Sequence, residues 1–253
     1  MLAGCASGGD DGAGDGGPTG PATDSGTTSA APTSTPSTSS APPTTTAPAV
    51  PPPNEPQPAA IVEVPAAQWE AMVAAGMVRP ECPVQSPDQL RRVEVDYIDF
   101  EGDRQRGHLV VATDTAETTA RIFQRLVDAE FPIRQMRGVE VYDGDTLASL
   151  QADNTSAYNC RRADQINAPF TDSPHANGRA VDINPLENPW RDLRCDCWSP
   201  SAEFAERTPG PGKILEGDLV WQAFDDEGWI WQNIDVPDYM HFDTGYPSRP
   251  YAS

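Results

Sequence analysis

The first 60 residues contain no lysine, arginine, histidine or aromatic side chain. A stretch lacking these, and made mostly of Gly, Ser, Thr, Ala and Pro, cannot bury enough apolar surface to offset the entropy of ordering it. It reads as a flexible, partly polyproline spacer and not as a domain. Every aromatic residue lies beyond it, so the folded part is expected over residues 61–253, long enough for one good core. Positive charge is scarce throughout, with 17 Lys and Arg against 38 Asp and Glu and a net charge of −21. Asp10, Asp11, Asp15, Asp24 and Glu55 lie in the spacer; removing these five from −21 leaves −16 for the domain. That balance argues against nucleic acid as a partner. No apolar run is long enough to span a bilayer.

Five cysteines are present. The first ends MLAGC, where Leu2-Ala3-Gly4-Cys5 resembles the lipobox of bacterial lipoproteins. Read that way, residues 1–5 are the remnant of a lipoprotein signal, Cys5 carries the lipid, and residues 6–60 are a disordered Gly/Ser/Thr/Pro-rich linker. A coil of about 55 residues spans roughly 40 Å on average. Cys82, Cys160, Cys195 and Cys197 remain, an even number that suggests two disulfides in an oxidising compartment. Cys195 and Cys197 are two residues apart in RCDCW, too close to pair easily with each other. Each is therefore expected to reach one of Cys82 and Cys160, and the sequence leaves open which. A four-thiolate zinc site is disfavoured, because no second CxC or CxxC pair completes it.

Within the domain, residues 67–78 have the spacing of a short helix, with Trp69, Met72 and Val73 on one face. Residues 92–100 alternate as a strand, and after the turn EGDRQRG a second strand, HLVVAT, completes an antiparallel hairpin. Residues 114–131 read as a capped helix with Ile122, Phe123, Leu126 and Val127 on its apolar face. An extended segment follows, then a polar loop over 143–157, a short strand in AYNCRR, and a strand in GRAVDINP ending at Pro185. A Pro-, Asn-, Arg- and Cys-rich loop runs to about residue 212, before a helix in EGDLVWQAFDDEG and two closing strands, WIWQN and DYMHFDT. Strands and helices mix without βαβ regularity, which predicts an α+β fold: a small antiparallel sheet flanked by helices.

The chain has three histidines, at 108, 175 and 241. His108 reads as an ordinary edge-strand residue. His175 lies in a polar loop, Gly178 suits a turn, and Asp182 alternates with Val181 and Ile183, so it points away from them. His241 sits on another alternating segment, three residues after Asp238. Two imidazoles and one carboxylate are a set that zinc takes while keeping a fourth position open for water. The same residues also fit plainer roles: a surface hydrogen-bonded pair, a strand-end cap at Asp182, a turn former at Asp238 after Pro237. Trp229 and Trp231 face one way, and core packing accounts for at least one of them.

SPHANGRAVDIN resembles the Ser-x-His-x-x-Gly-x-Ala-x-Asp motif of the VanY-like D-alanyl-D-alanine carboxypeptidases, which group with L-alanyl-D-glutamate endopeptidases and the Hedgehog-like zinc fold. DYMHF resembles their second motif, acid-x-x-His, and DNTSAYNCR and NPLENPW resemble the flanking segments of an exported branch. The likeness runs from about Ile61 and is sharpest over 153–190 and 225–243. It implies that His175, Asp182 and His241 bind Zn2+, and that Asp238 takes a proton from the attacking water and hands it to the leaving amine. It implies a substrate-holding or oxyanion-steadying role for Arg161, with Arg162 next door as a competitor and a plain surface arginine as the other reading. Ser173 either orients the substrate or a ligand, or structures its loop. It has no third histidine placed to make it a nucleophile. Two departures stand out: Asp238 replaces the Glu of many relatives, and Gln232 and Asn233 stand where glycines are usual. The expected protein is a monomeric, lipid-anchored zinc peptidase on the outer face of the cytoplasmic membrane, acting on peptidoglycan stem peptides. D-Ala-D-Ala carboxypeptidase activity comes first and an L,D or D,D endopeptidase second. A wall-binding lipoprotein without turnover is the rival.

Overall fold

The structure, a computed structural model, describes residues 55–165 and 173–245. Cys5, the lipobox and nearly all of the linker lie outside the described residues. Strand β1 (Ala60–Val62) is followed by helix α1 (Ala66–Ala74), shorter than the sequence suggested. The chain leaves it through Gly76, at φ +69°, and tucks Met77 into the interior. β2 (Leu90–Ile98) and β3 (Arg104–Ala112) form the expected hairpin, with β1 added on the free side of β2, all antiparallel. Asp99 makes its turn, accepting from the amides of Glu101 and Asp103.

Alternation along the hairpin sends Val93, Val95 and Leu109 inward, where helix α2 (Ala116–Asp128) covers them with Ile122, Phe123, Leu126 and Val127. The predicted side-chain cap of α2 is not made. Thr115 Oγ1 donates back to the Ala112 carbonyl, and Asp114 pairs with Arg179 at 2.7 Å. β4 (Gln135–Met136) passes close to β3: a Cβ on Gly107 would come within 2.6 Å of the Met136 Cβ.

The predicted loop at 143–157 is in fact helix α3 (Thr146–Gln151) and strand β5 (Asn154–Thr155), the latter parallel to β4. This helix is capped by Asp145, which accepts from Ala148 N at 3.1 Å, and buries only Ser149 and Leu150. It therefore lacks the apolar stripe that periodicity detects. Residues 157–162 are extended but not a strand, because their amides go to single partners: Tyr158 N to Val110 O and Asn159 N to His175 O.

A second antiparallel sheet has the order β6 (Ala180–Asp182), β10 (His241–Asp243), β9 (Ile230–Trp231), so the last strand inserts between two earlier ones. Between them in sequence lie the unpredicted hairpin of β7 (Trp190–Asp192) and β8 (Cys197–Ser199) and helix α4 (Leu219–Asp225), capped by Asp218. Val181, Ile183, Phe224, Trp229 and Phe242 join this sheet to the core under α2. The architecture is α+β with small, mostly antiparallel sheets. No helix among the described residues is long and apolar enough to cross a membrane.

The disulfide pairing corrects the sequence reading. Cys82 bonds Cys160, both buried, with Cα atoms 6.1 Å apart. Cys195 bonds Cys197, with Cα atoms 5.2 Å apart. The intervening Asp196 adopts φ +52°, a left-handed turn that folds the chain back and brings the two side chains together.

Candidate metal centre and cleft

His175 is carried by a single helical turn, Pro174–Asn177, which Pro174 starts and Gly178 closes at φ +67°. The turn is pressed against the end of β3. Ala112 N donates to Gly178 O at 2.7 Å, and a Cβ on Gly178 would lie 2.6 Å from Ala112 N. On β6, Val181 and Ile183 are wholly buried in the core, so Asp182 points from the opposite face. β10 pairs His241 directly with Asp182, which places the two side chains on one face.

Three atoms converge there. His175 Nε2 lies 3.1 Å from His241 Nδ1, and each lies 3.2 Å from Asp182 Oδ1. The far ring nitrogens fix what these atoms are. His175 Nδ1 donates to the Ala157 carbonyl at 2.7 Å, and His241 Nε2 donates to Asp243 Oδ2 at 3.0 Å. Both converging nitrogens are thereby lone-pair acceptors, facing a carboxylate oxygen. Three acceptors with no proton between them require a cation. A tetrahedral site with ligand bonds of about 2.0–2.1 Å has edges of about 3.3–3.4 Å, close to the triangle observed. The donor set thus fits a divalent ion held by three protein atoms.

The electrostatics agree. Burial works against both the charged Asp182 and a charged His241, yet the imidazoles of His175 and His241 hold the Asp182 carboxyl far below the usual carboxylate range. In turn, hydrogen bonds to the Asp182 and Asp243 carboxylates raise His241 to about 10, against its burial. The site demands a positive charge, and without an ion a proton supplies it.

These residues line a cleft of about 570 Å³. Its wall includes Asp238, Arg161 and Ser173, with Trp190, Leu150 and Met240 as an apolar side. Asp238 Oδ1 is buried without a partner. Burial pushes this carboxyl up to about 7, with Asp182 and Asp243 adding to the rise and His241 and Arg161 opposing it. Arg161 also leaves Nε unpartnered. Burial lowers its pKa, against the pull of Asp182 and Asp238. Arg162 turns away, donating to the carbonyls of Ala75 and Asp143.

Three residues of the site escaped the sequence reading or were seen there only as departures. Asp243 accepts from His241, Asn233 and Gly245, and it is wholly buried. Its signal was present: two residues after His241 on an alternating strand puts it on the same face. Gln232 Oε1 accepts from Asp238 N at 3.2 Å, and Asn233 Nδ2 donates to Asp243 at 3.0 Å. The side chains standing where glycines are usual therefore brace the acid and the outer partner of His241. Trp229 is buried in the core, as expected of at least one of the pair. Trp231 packs against the core and donates from Nε1 to Tyr239 O. His108 lies outside the site, against Gln68 and Gly138, and burial pushes its pKa down to about 4.

Residues 167–244 match a family model described as D-alanyl-D-alanine carboxypeptidase. No curated protein and no solved structure matches the chain. The matched span contains His175, Asp182, Asp238 and His241, and stops short of Arg161. In this part the chain is similar to peptidases that act on D-Ala-D-Ala.

Proposed function

We propose that this chain is a zinc peptidase that hydrolyses peptidoglycan stem peptides, as a D-Ala-D-Ala carboxypeptidase first and an L,D or D,D endopeptidase second. The observation that carries the reading is the meeting of three lone-pair donors, His175 Nε2, His241 Nδ1 and Asp182 Oδ1, beside the unpartnered carboxyl of Asp238 in one cleft. Two imidazoles with one carboxylate suit zinc among the common divalent ions. Zinc held there would polarise the scissile carbonyl and make water at its open position acidic enough to attack at neutral pH.

The remaining steps belong to the chain. Asp238 takes the proton of the attacking water and returns it to the leaving amine. An unpartnered carboxyl oxygen beside the three converging ligands is placed to do both. Gln232 fixes its backbone, so that a carboxylate one methylene shorter than Glu keeps its position. Arg161 is the one guanidinium among the described residues of the cleft wall, available to a terminal carboxylate or a developing oxyanion. Ser173 lines the same wall and orients the substrate. The β6–β10 pairing supports a Hedgehog-like zinc fold. The two disulfides support an oxidising compartment, with Cys5 as a lipid anchor on the outer face of the membrane.

The test uses the protein purified without chelator, with metal content and D-alanine release from stem-peptide substrates measured beside Asp238→Ala. One zinc per chain and turnover lost in the variant is the expected result. Zinc retained in both without turnover on any stem peptide points to a wall-binding domain instead. A folded protein without metal overturns the reading.

A further inference from the structure

The two disulfides differ in what reaches them. Cys82 and Cys160 are 4% and 0% exposed and belong to a core cluster with Met72, Val84 and Tyr158. Cys195 and Cys197 are both exposed, in a run of exposed residues over 193–197 at the tip of the β7–β8 hairpin. Thiol–disulfide exchange needs a thiolate to approach a sulfur along the S–S axis, so access decides which bond reacts. The loops they close differ as much, spanning sequence separations of 78 and 2 residues. The short loop constrains the unfolded chain little, so its disulfide adds little to global stability. What it constrains is the hairpin.

That hairpin holds the base of the cleft. Trp190 forms a β-bridge with Asp238, Arg191 N donates to Pro237 O at 2.7 Å, and Tyr239 N donates to Pro189 O at 3.3 Å. From the other strand, Trp198 stacks on Tyr239 with ring centroids 5.4 Å apart and planes at 19°. Asp192 and Cys197 are register partners at the mouth of the turn, so the disulfide closes the hairpin one step from these contacts.

We propose that Cys195–Cys197 is a reversible exchange site for a dithiol reductant, and that its opening loosens the segment bearing Asp238. A thiolate of the dithiol attacks one sulfur, forming a mixed disulfide and releasing the other cysteine as thiolate. The second thiol of the reductant then displaces the first cysteine. Two electrons and two protons pass to the protein, which ends with two thiols, and the reductant ends as a disulfide. The two cysteines stay neighbours on one turn, so the reverse exchange with a disulfide oxidant, which takes up the two electrons and two protons and leaves as a dithiol, closes the bond again. The role of Asp238 as a base rests on the peptidase reading; the exchange chemistry does not.

The test treats the native full chain with graded dithiothreitol, traps free thiols by alkylation and maps them by peptide mass. Cys195 and Cys197 should be labelled while Cys82 and Cys160 remain bonded. Pairs that open together, or only on unfolding, overturn the proposal. In the half-reduced protein the amides of Arg191 and Tyr239 should exchange hydrogen about tenfold faster, and unchanged rates overturn the link to the cleft. The Cys195→Ser/Cys197→Ser variant should match that faster exchange and ignore dithiothreitol, and a variant that still responds refutes the assignment. If the oxidised protein has no turnover, the peptidase reading fails alone, because labelling and exchange still decide the site.

Discussion

Asp238→Asn should make the metal-free protein more stable while abolishing turnover. The Asp238 carboxyl is pushed by burial from 3.8 to about 7. Between those values the unfolded chain has released the proton and the folded chain still holds it, so stability falls as pH rises. The loss begins above the unfolded value and is complete above about pH 7. A rise of that size corresponds to roughly 4 kcal/mol, since each tenfold change in proton affinity is about 1.4 kcal/mol. Asparagine is nearly isosteric and never ionises, so it escapes that cost. Urea unfolding in chelator at pH 8 should show the variant ahead by about 2–4 kcal/mol, and the gap should close by about pH 4. With metal bound, the positive charge favours the carboxylate and the gap should shrink. A variant no more stable than the parent at pH 8 would refute the argument that burial of this carboxyl is uncompensated. Gain of stability with loss of activity is the signature of a group kept for chemistry at the expense of the fold.

Asp243→Ala leaves His241 Nε2 without its acceptor and should weaken metal binding by about 10–100-fold in chelator competition. Arg161→Ala should raise KM for carboxylate-terminated peptides by at least about tenfold, whereas Arg162→Ala, whose guanidinium faces Ala75 and Asp143, should leave KM unchanged. Replacing Cys82 and Cys160 by alanine releases a 78-residue separation and should cost about 4–5 kcal/mol in a urea melt. Gly178→Ala forces a Cβ to 2.6 Å from Ala112 N at φ +67°, and should lower the melting temperature by several degrees and the metal affinity with it.

Alternation is what made the site readable. Val181-Asp182-Ile183 and His241-Phe242-Asp243 each put one polar face opposite a core face, and the structure joins those faces in register. The same rule reached the β2–β3 hairpin and α2, whose apolar residues repeat at the period of their element. It failed where no apolar face exists. Helix α3 rests on a cap and two buried residues, and the β7–β8 hairpin on a left-handed turn at Asp196. The cysteine pairing failed for that same reason: separation along the chain is a poor guide when one residue reverses its direction. Asp243 was missed because a carboxylate in a chain with 38 acidic residues carries little information until its partner is known. Gln232 and Asn233 looked like departures from a pattern, and only their bonds to Asp238 and Asp243 give them a purpose.

The place of β10 has a temporal meaning. It is the last of the described strands in sequence and the central strand of its sheet, and it brings His241 and Asp243 to an Asp182 made 59 residues earlier. A growing chain can therefore fold its hairpin and α2 while one of the three converging groups is still unmade. Closing such a distant contact is slow and comes late. An ion that binds only the finished triangle then acts as a latch on that final insertion, drawing the equilibrium toward the completed chain. Assembly of the triangle and completion of the fold become one event, and a molecule interrupted before residue 241 lacks the third corner.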